Sequence, residues 1–373
     1  MKVDFFKHNL GKEEIKELIQ VIDSTFISTG PVTKNFEEKF AKSLGAKYCV
    51  GVSNWTSGNF IVLKALGIGT GDEVITTPMS FIGTSNTIIH AGARPVFVDV
   101  EDGTGNIDVE NIEKAITPKT KAIMPVHLYG QMCDMIGIRE IADKYKLFVI
   151  EDSAHCIEGQ RDGIRPGQLS TAAVFSFYAT KNITSGEGGS ILTNNEELFE
   201  KLKKYRLHGM SKGAAERHTS KYQHWDMELL GYKCNMSDIQ ASLLLPQLKK
   251  LEKNLQIRDK ICMKYEKALL SLSGISLPKI LKNTKHARHL FTVWVDPLKR
   301  NDVIHKLQSL DVGVTVNYRS IHLLSYYKNQ FGINKGTLPI SERIGDSTIT
   351  LPMYPKMTEA EINYVIDAIK SAV

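Results

Sequence analysis

The chain has few cysteines and no pattern among them. Cys49, Cys133, Cys156, Cys234 and Cys262 are scattered singly, without a CxxC pair or His/Cys ligand spacing, so neither a disulfide framework nor a metal site is indicated. Cys156 follows a strand-end acid and could meet oxidants; a small buried residue is the alternative reading. No apolar run reaches the roughly 18 residues of a membrane span, and the opening M-K-V-D-F-F-K-H-N-L-G-K-E-E has no apolar secretion core. A cytoplasmic protein without membrane contact is expected. Nor is there a basic arm: 47 Lys and Arg against 41 Asp and Glu give a net charge of +6, spread along helical segments rather than striped with aromatics as a nucleic-acid partner demands. The mild excess suits a small anionic substrate, although solubility alone explains it too. A dinucleotide fingerprint is also missing. G-I-G-T-G-D at Gly67 to Asp72 ends a helix and precedes a strand, the reverse of the required order.

What is present is a long chain, 373 residues with 42% hydrophobic and 24% charged residues, enough for two cores. The expected division is a large α/β domain over 1–247 and a smaller α+β domain over 248–373. Ile15, Leu18, Ile19 and Ile22 recur at helical spacing, as do Phe36, Phe40 and Leu44, with a break at Ser28 to Pro31. Apolar runs at 48–52, 74–76, 95–100, 122–126, 148–150, 172–177 and 190–192 then alternate mostly with helical segments. That alternation predicts an α/β fold: a seven-stranded, mostly parallel sheet sandwiched by helices. The short glycine turn before the last run leaves that strand free to be antiparallel. A helix capped by Ser237 or Asn235 is expected to run to about Leu270. Beyond it, strands at 289–295 and 312–316 and helices at 302–310 and 358–372 make the smaller unit.

Two strand ends carry chemistry. V-F-S-F-Y-A-T-K-N-I-T-S-G-E-G-G at Val174 to Gly189 delivers Lys181 after a buried run, where lost hydration lowers a lysine's pKa and frees its amine to attack a carbonyl. An ordinary loop lysine is the alternative on these residues alone. L-F-V-I-E-D-S-A-H at Leu147 to His155 delivers Asp152 in the same way. A pyridoxal phosphate enzyme needs this pair, a lysine for the Schiff base and an acid facing the pyridinium nitrogen. Both lie where a parallel sheet presents ligands, outside the carboxyl ends of its strands. S-N-W-T-S-G-N-F at Ser53 to Phe60 opens a helix at Thr56 or Ser57, either an anion site or a plain capped helix. His208 to Tyr232 is polar and cationic. It reads either as an arm at the active site, with Arg217, His218 and His224 as phosphate ligands, or as a solvated loop.

These residues, with T-G-P at Thr29 to Pro31, G-D-E-V-I-T-T-P at Gly71 to Pro78, H-L-Y-G-Q at His127 to Gln131 and L-P-M-Y-P at Leu351 to Pro355, resemble the DegT/DnrJ/EryC1/StrS sugar aminotransferases, fold-type I enzymes dependent on pyridoxal 5'-phosphate. The resemblance implies that Lys181 forms the Schiff base and Asp152 faces the ring nitrogen. It implies cofactor contacts from Thr56, Ser57 and Ser176 to the phosphate, with Phe81 stacked on one face of the ring and His155 on the other. It implies that Asn235 crosses to the phosphate of a neighbouring subunit, which makes a homodimer with shared sites; on local residues alone a helix cap is the better reading of Asn235. Thr29 and His322 would meet the sugar. The chain departs from the family pattern with Trp55 for a glycine, Gly58-Asn59 for a small-Leu pair, and Asn317 and Ser320 in N-Y-R-S-I-H. The implied reaction moves an amino group from an amino acid, L-glutamate, to a nucleotide-linked 4-keto-6-deoxyhexose, with a 3-keto sugar as alternative. Dehydratase relatives carry histidine where Lys181 stands. A non-catalytic regulatory or binding protein, the other class considered, would lack the lysine–aspartate pair.

Overall fold

A computed structural model of the protein describes residues 1–211 and 224–373. Seven strands form one sheet: β1 Tyr48–Val52, β2 Glu73–Thr76, β3 Arg94–Phe97, β4 Thr120–Met124, β5 Phe148–Asp152, β6 Ala172–Ser176 and β7 Gly189–Thr193, in the order β1-β7-β6-β5-β4-β2-β3. β7 runs antiparallel to both its neighbours, and the other pairs are parallel. Every residue of β6 and β7 is buried, as central strands covered on both faces require.

The helices α1 Lys12–Ile22 and α2 Pro31–Leu44 form where the periodicity places them, although α2 starts earlier because Pro31 occupies its first turn and Gly45 closes it in the left-handed region, φ 73°. Phe36 and Phe40 on α2 stack at 5.4 Å and meet Phe175 and Phe177 edge-on, filling one side of the sheet. α1 corrects its expected packing. Glu14 and Val21 are its buried residues, whereas Ile15, Ile19 and Ile22 are 57%, 52% and 60% exposed. The cause is polar: Glu14 accepts from the Gly11 N–H at 2.7 Å and from Lys250 Nζ at 3.0 Å, which turns the apolar stripe away from this chain's core.

α3, Trp55–Ala65, begins at Trp55 instead of Thr56 or Ser57, because Asn54 caps it by accepting from the Ser57 N–H at 2.8 Å. α4 spans Gly83–His90. The expected helix to Leu270 is two, Asp238–Lys249 and Leu251–Leu269, broken at Lys250. Ser237 caps the first reciprocally with Gln240, so Asn235 is not its cap. Towards the C-terminus, Ile275–Ser276, Phe291–Val295 and Thr348–Leu351 make a small antiparallel sheet, backed by helices Arg300–Ser309 and Glu359–Ala372. The run at 312–316 is not a strand. It makes isolated bridges from Val312 to Val3 and from Thr315 to Thr350. This core gathers residues from Ile261 to Ala372 and one from the other end of the chain, Val3.

Candidate active site

Asp152 ends β5 with its neighbour Val174 in register on β6. Its carboxylate is held on both oxygens: Oδ2 accepts from Thr84 Oγ1 at 2.8 Å and Oδ1 from the Ala154 N–H at 3.1 Å. Thr84 stands in the first turn of α4 and shares a hydrogen bond with Ser80 Oγ at 2.7 Å. Burial pushes the Asp152 carboxyl above its usual range, and Thr84, the Ala154 N–H and the charge of Lys181 pull back. Thr84 was not singled out in the sequence. Its only signal is a hydroxyl in the first turn of the helix that follows P-M-S-F-I at Pro78 to Ile82.

Lys181 follows β6 by five residues, in a turn where its N–H donates to Tyr178 O at 2.9 Å. Burial lowers its ammonium to about 8, with the Asp152 carboxylate opposing that fall. Near neutral pH its free-amine fraction is therefore larger than that of an ordinary lysine. Beside it, His155 is buried, with Nε2 3.2 Å from the Tyr318 hydroxyl and Nδ1 without a partner. Burial and the Lys181 charge hold His155 well below the ordinary imidazole value.

The start of α3 reaches this end of the sheet through a close approach. Gly189 lies in register with Val52 on one side and Ser176 on the other. A Cβ there would come within 2.7 Å of the Asn54 carbonyl carbon and 2.8 Å of Trp55 N, so glycine lets the helix N-terminus sit on the strand end. Trp55, the departure from the family pattern, is buried with Nε1 donating to Val174 O at 3.2 Å, and Thr56 remains exposed. Ser176 is buried and accepts from the Tyr178 N–H at 3.3 Å. Phe81 is 58% exposed, with its ring 6.3 Å from that of Tyr318.

Other expected site residues lie apart from these. Asn235 Nδ2 donates to Thr29 Oγ1 at 2.5 Å, Thr29 in turn to Met236 O at 2.5 Å, and Lys233 Nζ to Asn235 Oδ1 at 2.6 Å. Both line a cavity of about 930 Å³ with Lys34, Glu37 and Arg206, and neither Lys181 nor Asp152 lines it. His322 is fully buried with Nε2 3.0 Å from Glu342 Oε1. Its other ring nitrogen, Nδ1, has no partner. Arg217 and His218 lie outside the described residues; His224 is exposed and its ring stacks with Trp225.

The residues fit pyridoxal phosphate. An unpartnered buried nitrogen on His155, an exposed aromatic at Phe81, a doubly held carboxylate and a desolvated lysine are the donor set that ring chemistry needs. Among the described residues no group of His, Cys, Asp and Glu could hold a metal ion, and no helix is long and apolar enough to cross a membrane.

The sequence profile of the DegT/DnrJ/EryC1/StrS aminotransferase family matches residues 8–370. An uncharacterized protein of Methanocaldococcus jannaschii, MJ1066, is 44% identical over 99% of this chain and 97% of its own length. The spore coat polysaccharide biosynthesis protein SpsC of Bacillus subtilis is 41% identical over 98% of this chain and 95% of its own. The putative sugar aminotransferase Spr1654 of Streptococcus pneumoniae, in its PMP form, superposes with a TM-score of 0.94 at 30% identity, covering 100% of this chain and 99% of that one.

Proposed function

The chain belongs to the DegT/DnrJ/EryC1/StrS aminotransferase family and is a pyridoxal-phosphate-dependent sugar aminotransferase, and from that premise we propose that it moves an amino group from L-glutamate to the 4-keto group of a nucleoside-diphosphate-linked 6-deoxyhexose. The amino sugar serves a surface polysaccharide or another glycosylated product, as the likeness to SpsC supports. The enzyme works in the cytoplasm. The observation that carries the site is the pairing of a lysine lowered to about 8 by burial with a carboxylate fixed by Thr84, both at the carboxyl ends of adjacent strands.

Pyridoxal phosphate, when bound, supplies a conjugated ring that accepts electrons from the donor's Cα and carries the amino group across. Lys181 Nζ secures the cofactor as nucleophile and, once released, moves the proton at Cα as base and acid. Asp152, oriented by Thr84 and the Ala154 N–H, holds the proton on the ring nitrogen. Phe81 and His155 bound the two faces of the ring. Thr56, Ser57 and Ser176 bind the phosphate at the start of α3. Asn235 completes the phosphate site of a second subunit and Thr29 stands beside that subunit's sugar, so the enzyme is a homodimer with shared sites. What supports this division is that Asn235 and Thr29 are bonded together at a cavity that Lys181 and Asp152 do not line. Arg217 is assigned to the substrate's phosphates.

A panel of nucleotide keto-sugars with glutamate as donor tests the substrate, and borohydride bleaching of a visible absorption band tests the attachment. Turnover of 4-keto sugars is expected. Turnover confined to 3-keto sugars, or a protein that never takes up the chromophore, overturns the reading.

A further inference from the structure

The Lys181 pocket continues into a buried polar chain to which the reaction assigns no task. Arg258 Nη2 donates to Glu158 Oε1 at 2.5 Å, with the two side chains 3% and 4% exposed. Glu158 Oε2 accepts from Asn182 Nδ2 at 2.7 Å, and the same nitrogen reaches Ala287 O at 3.0 Å. Asn182 Oδ1 lies 3.1 Å from His289 Nδ1. The His289 ring lies against His155, centroids 4.4 Å apart and the planes tilted by 36°. His155 meets the Tyr318 hydroxyl at the far end.

Donor counting fixes the orientation of Asn182 and the tautomer of His289. The Asn182 nitrogen faces a carboxylate and a carbonyl, two groups that only accept, so a flipped amide would press its oxygen against both. The amide oxygen therefore faces His289 and accepts from it. His289 Nδ1 carries the hydrogen, which leaves the lone pair on Nε2. A second proton on this ring meets no welcome. His155, Lys181, Arg258 and His286 face it and each opposes a positive charge there, in addition to burial. The nearby carboxylate, Glu158, stands behind Asn182 and is already matched by Arg258. An asparagine at 182 thus couples His289 to the ion pair without giving it a counter-charge.

We propose that Asn182 and His289 are positioning residues for Lys181: the Arg258–Glu158 pair fixes Asn182, Asn182 holds His289 as the neutral Nδ1–H tautomer, and His289 supports the His155 ring. Because Asn182 directly follows Lys181, the same clamp holds the backbone from which the lysine reaches the site. The kinetic consequence rests on the reading of Lys181 given above; the tautomer does not.

The apoprotein labelled with ¹⁵N-histidine separates the two. The His289 signals are assigned by their loss in His289→Asn or, where that variant does not fold, by through-space contacts to His155. They should show the Nδ1–H pattern without titration from about pH 5.5 to 8.5, across the range where an ordinary histidine changes charge. An Nε2–H pattern, or a titration near 6.5, overturns the inference whatever the enzyme's activity. Asn182→Leu removes the acceptor at similar size, and Asn182→Ser, too short to span the gap, replaces it if the leucine variant does not fold. Either should move His289 away from pure Nδ1–H and lower kcat about ten- to hundred-fold, the scale of a small misplacement of a reacting group, with little change in the KM of the amino donor. A changed tautomer with unchanged kcat sinks the positioning role, and an unchanged tautomer sinks the clamp. If wild-type protein shows no cofactor chemistry at all, the function proposed above fails while the tautomer test still stands.

Discussion

The pocket at Lys181 and the cavity at Asn235 are built on opposite principles. Around Lys181, the polar groups are buried or half-buried and their partners come from within the chain: Thr84 and the Ala154 N–H on Asp152, Tyr318 on His155, Asn182 on His289. Such networks are rigid because every lost partner leaves a desolvated group behind. Around Asn235, Lys233 and Thr29 bond to the asparagine, and Thr29 and Asn235 line a large cavity next to helices rich in exposed lysine and glutamate. The polar groups of the first region are held by partners from the same chain. The second opens on a large cavity, and the exposed apolar face of α1 lies on the helix that packs most heavily against the one following Asn235.

The largest effect should come from the Lys181 pocket. Lys181→Ala is expected to abolish transamination and borohydride trapping together while leaving the circular dichroism spectrum and melting temperature near those of the wild type, because the lysine supplies nucleophile and proton carrier and not packing. Wild-type-like turnover would remove Lys181 from the mechanism. Asp152→Asn should retain cofactor but slow the half-reaction with glutamate by about 10²- to 10⁴-fold, the usual worth of a positioned acid or base. An unchanged half-reaction rate would place the ring nitrogen elsewhere.

The contrast also explains what could be read from sequence. Lys181 and Asp152 sit at the ends of apolar runs whose length and alternation define the strands, so local pattern located both, as it located all seven strands of the sheet. Trp55 and Gly189 illustrate the limit: the glycine's necessity is a contact with Asn54 across 135 residues of chain, which no local pattern encodes. Thr84, Tyr318 and His289 escaped notice for the same reason, since the partners of the last two lie 163 and 107 residues away. Periodicity identified α1 as a helix with one apolar face, but it cannot say what covers that face. Here Glu14 and Lys250 decide which side turns inward. The β-branched run at 312–316 had strand composition and found only isolated bridges, because strand propensity reports a fit to neighbours and not a backbone preference.

Asn235 tests the second region. Asn235→Ala should weaken cofactor retention by about 1.5 to 3 kcal/mol, one hydrogen bond to a charged group, without unfolding the dimer; equilibrium dialysis reads it. Mixed with Lys181→Ala, it should form heterodimers in which one site carries both lesions and the other neither. Activity should then rise above that of either parent. If tagged-subunit capture proves exchange and activity does not rise, Asn235 acts within its own chain and the two regions are not halves of one site.

The smallest effect separates burial from charge inside the Lys181 pocket. Burial lowers the lysine from 10.5 to about 8, and Asp152 pulls it back up. In the apoprotein, the rate at which Lys181 reacts with a small aldehyde should therefore rise as pH passes through about 8, since only the free amine attacks. The sign for stability follows from the same shift. The folded state releases this proton earlier than the unfolded chain does, so the group destabilises the fold below about 8 and relieves that cost as pH climbs towards 10.5. Asp152→Asn removes the opposing charge and should move the reactivity midpoint further down, by less than burial moved it, because desolvation is the larger cause. A midpoint near 10.5 in the wild type would mean that Lys181 is solvated. A midpoint unchanged in Asp152→Asn would mean that the carboxylate is not close enough to act on the lysine, and the pairing at the strand ends would lose its chemistry.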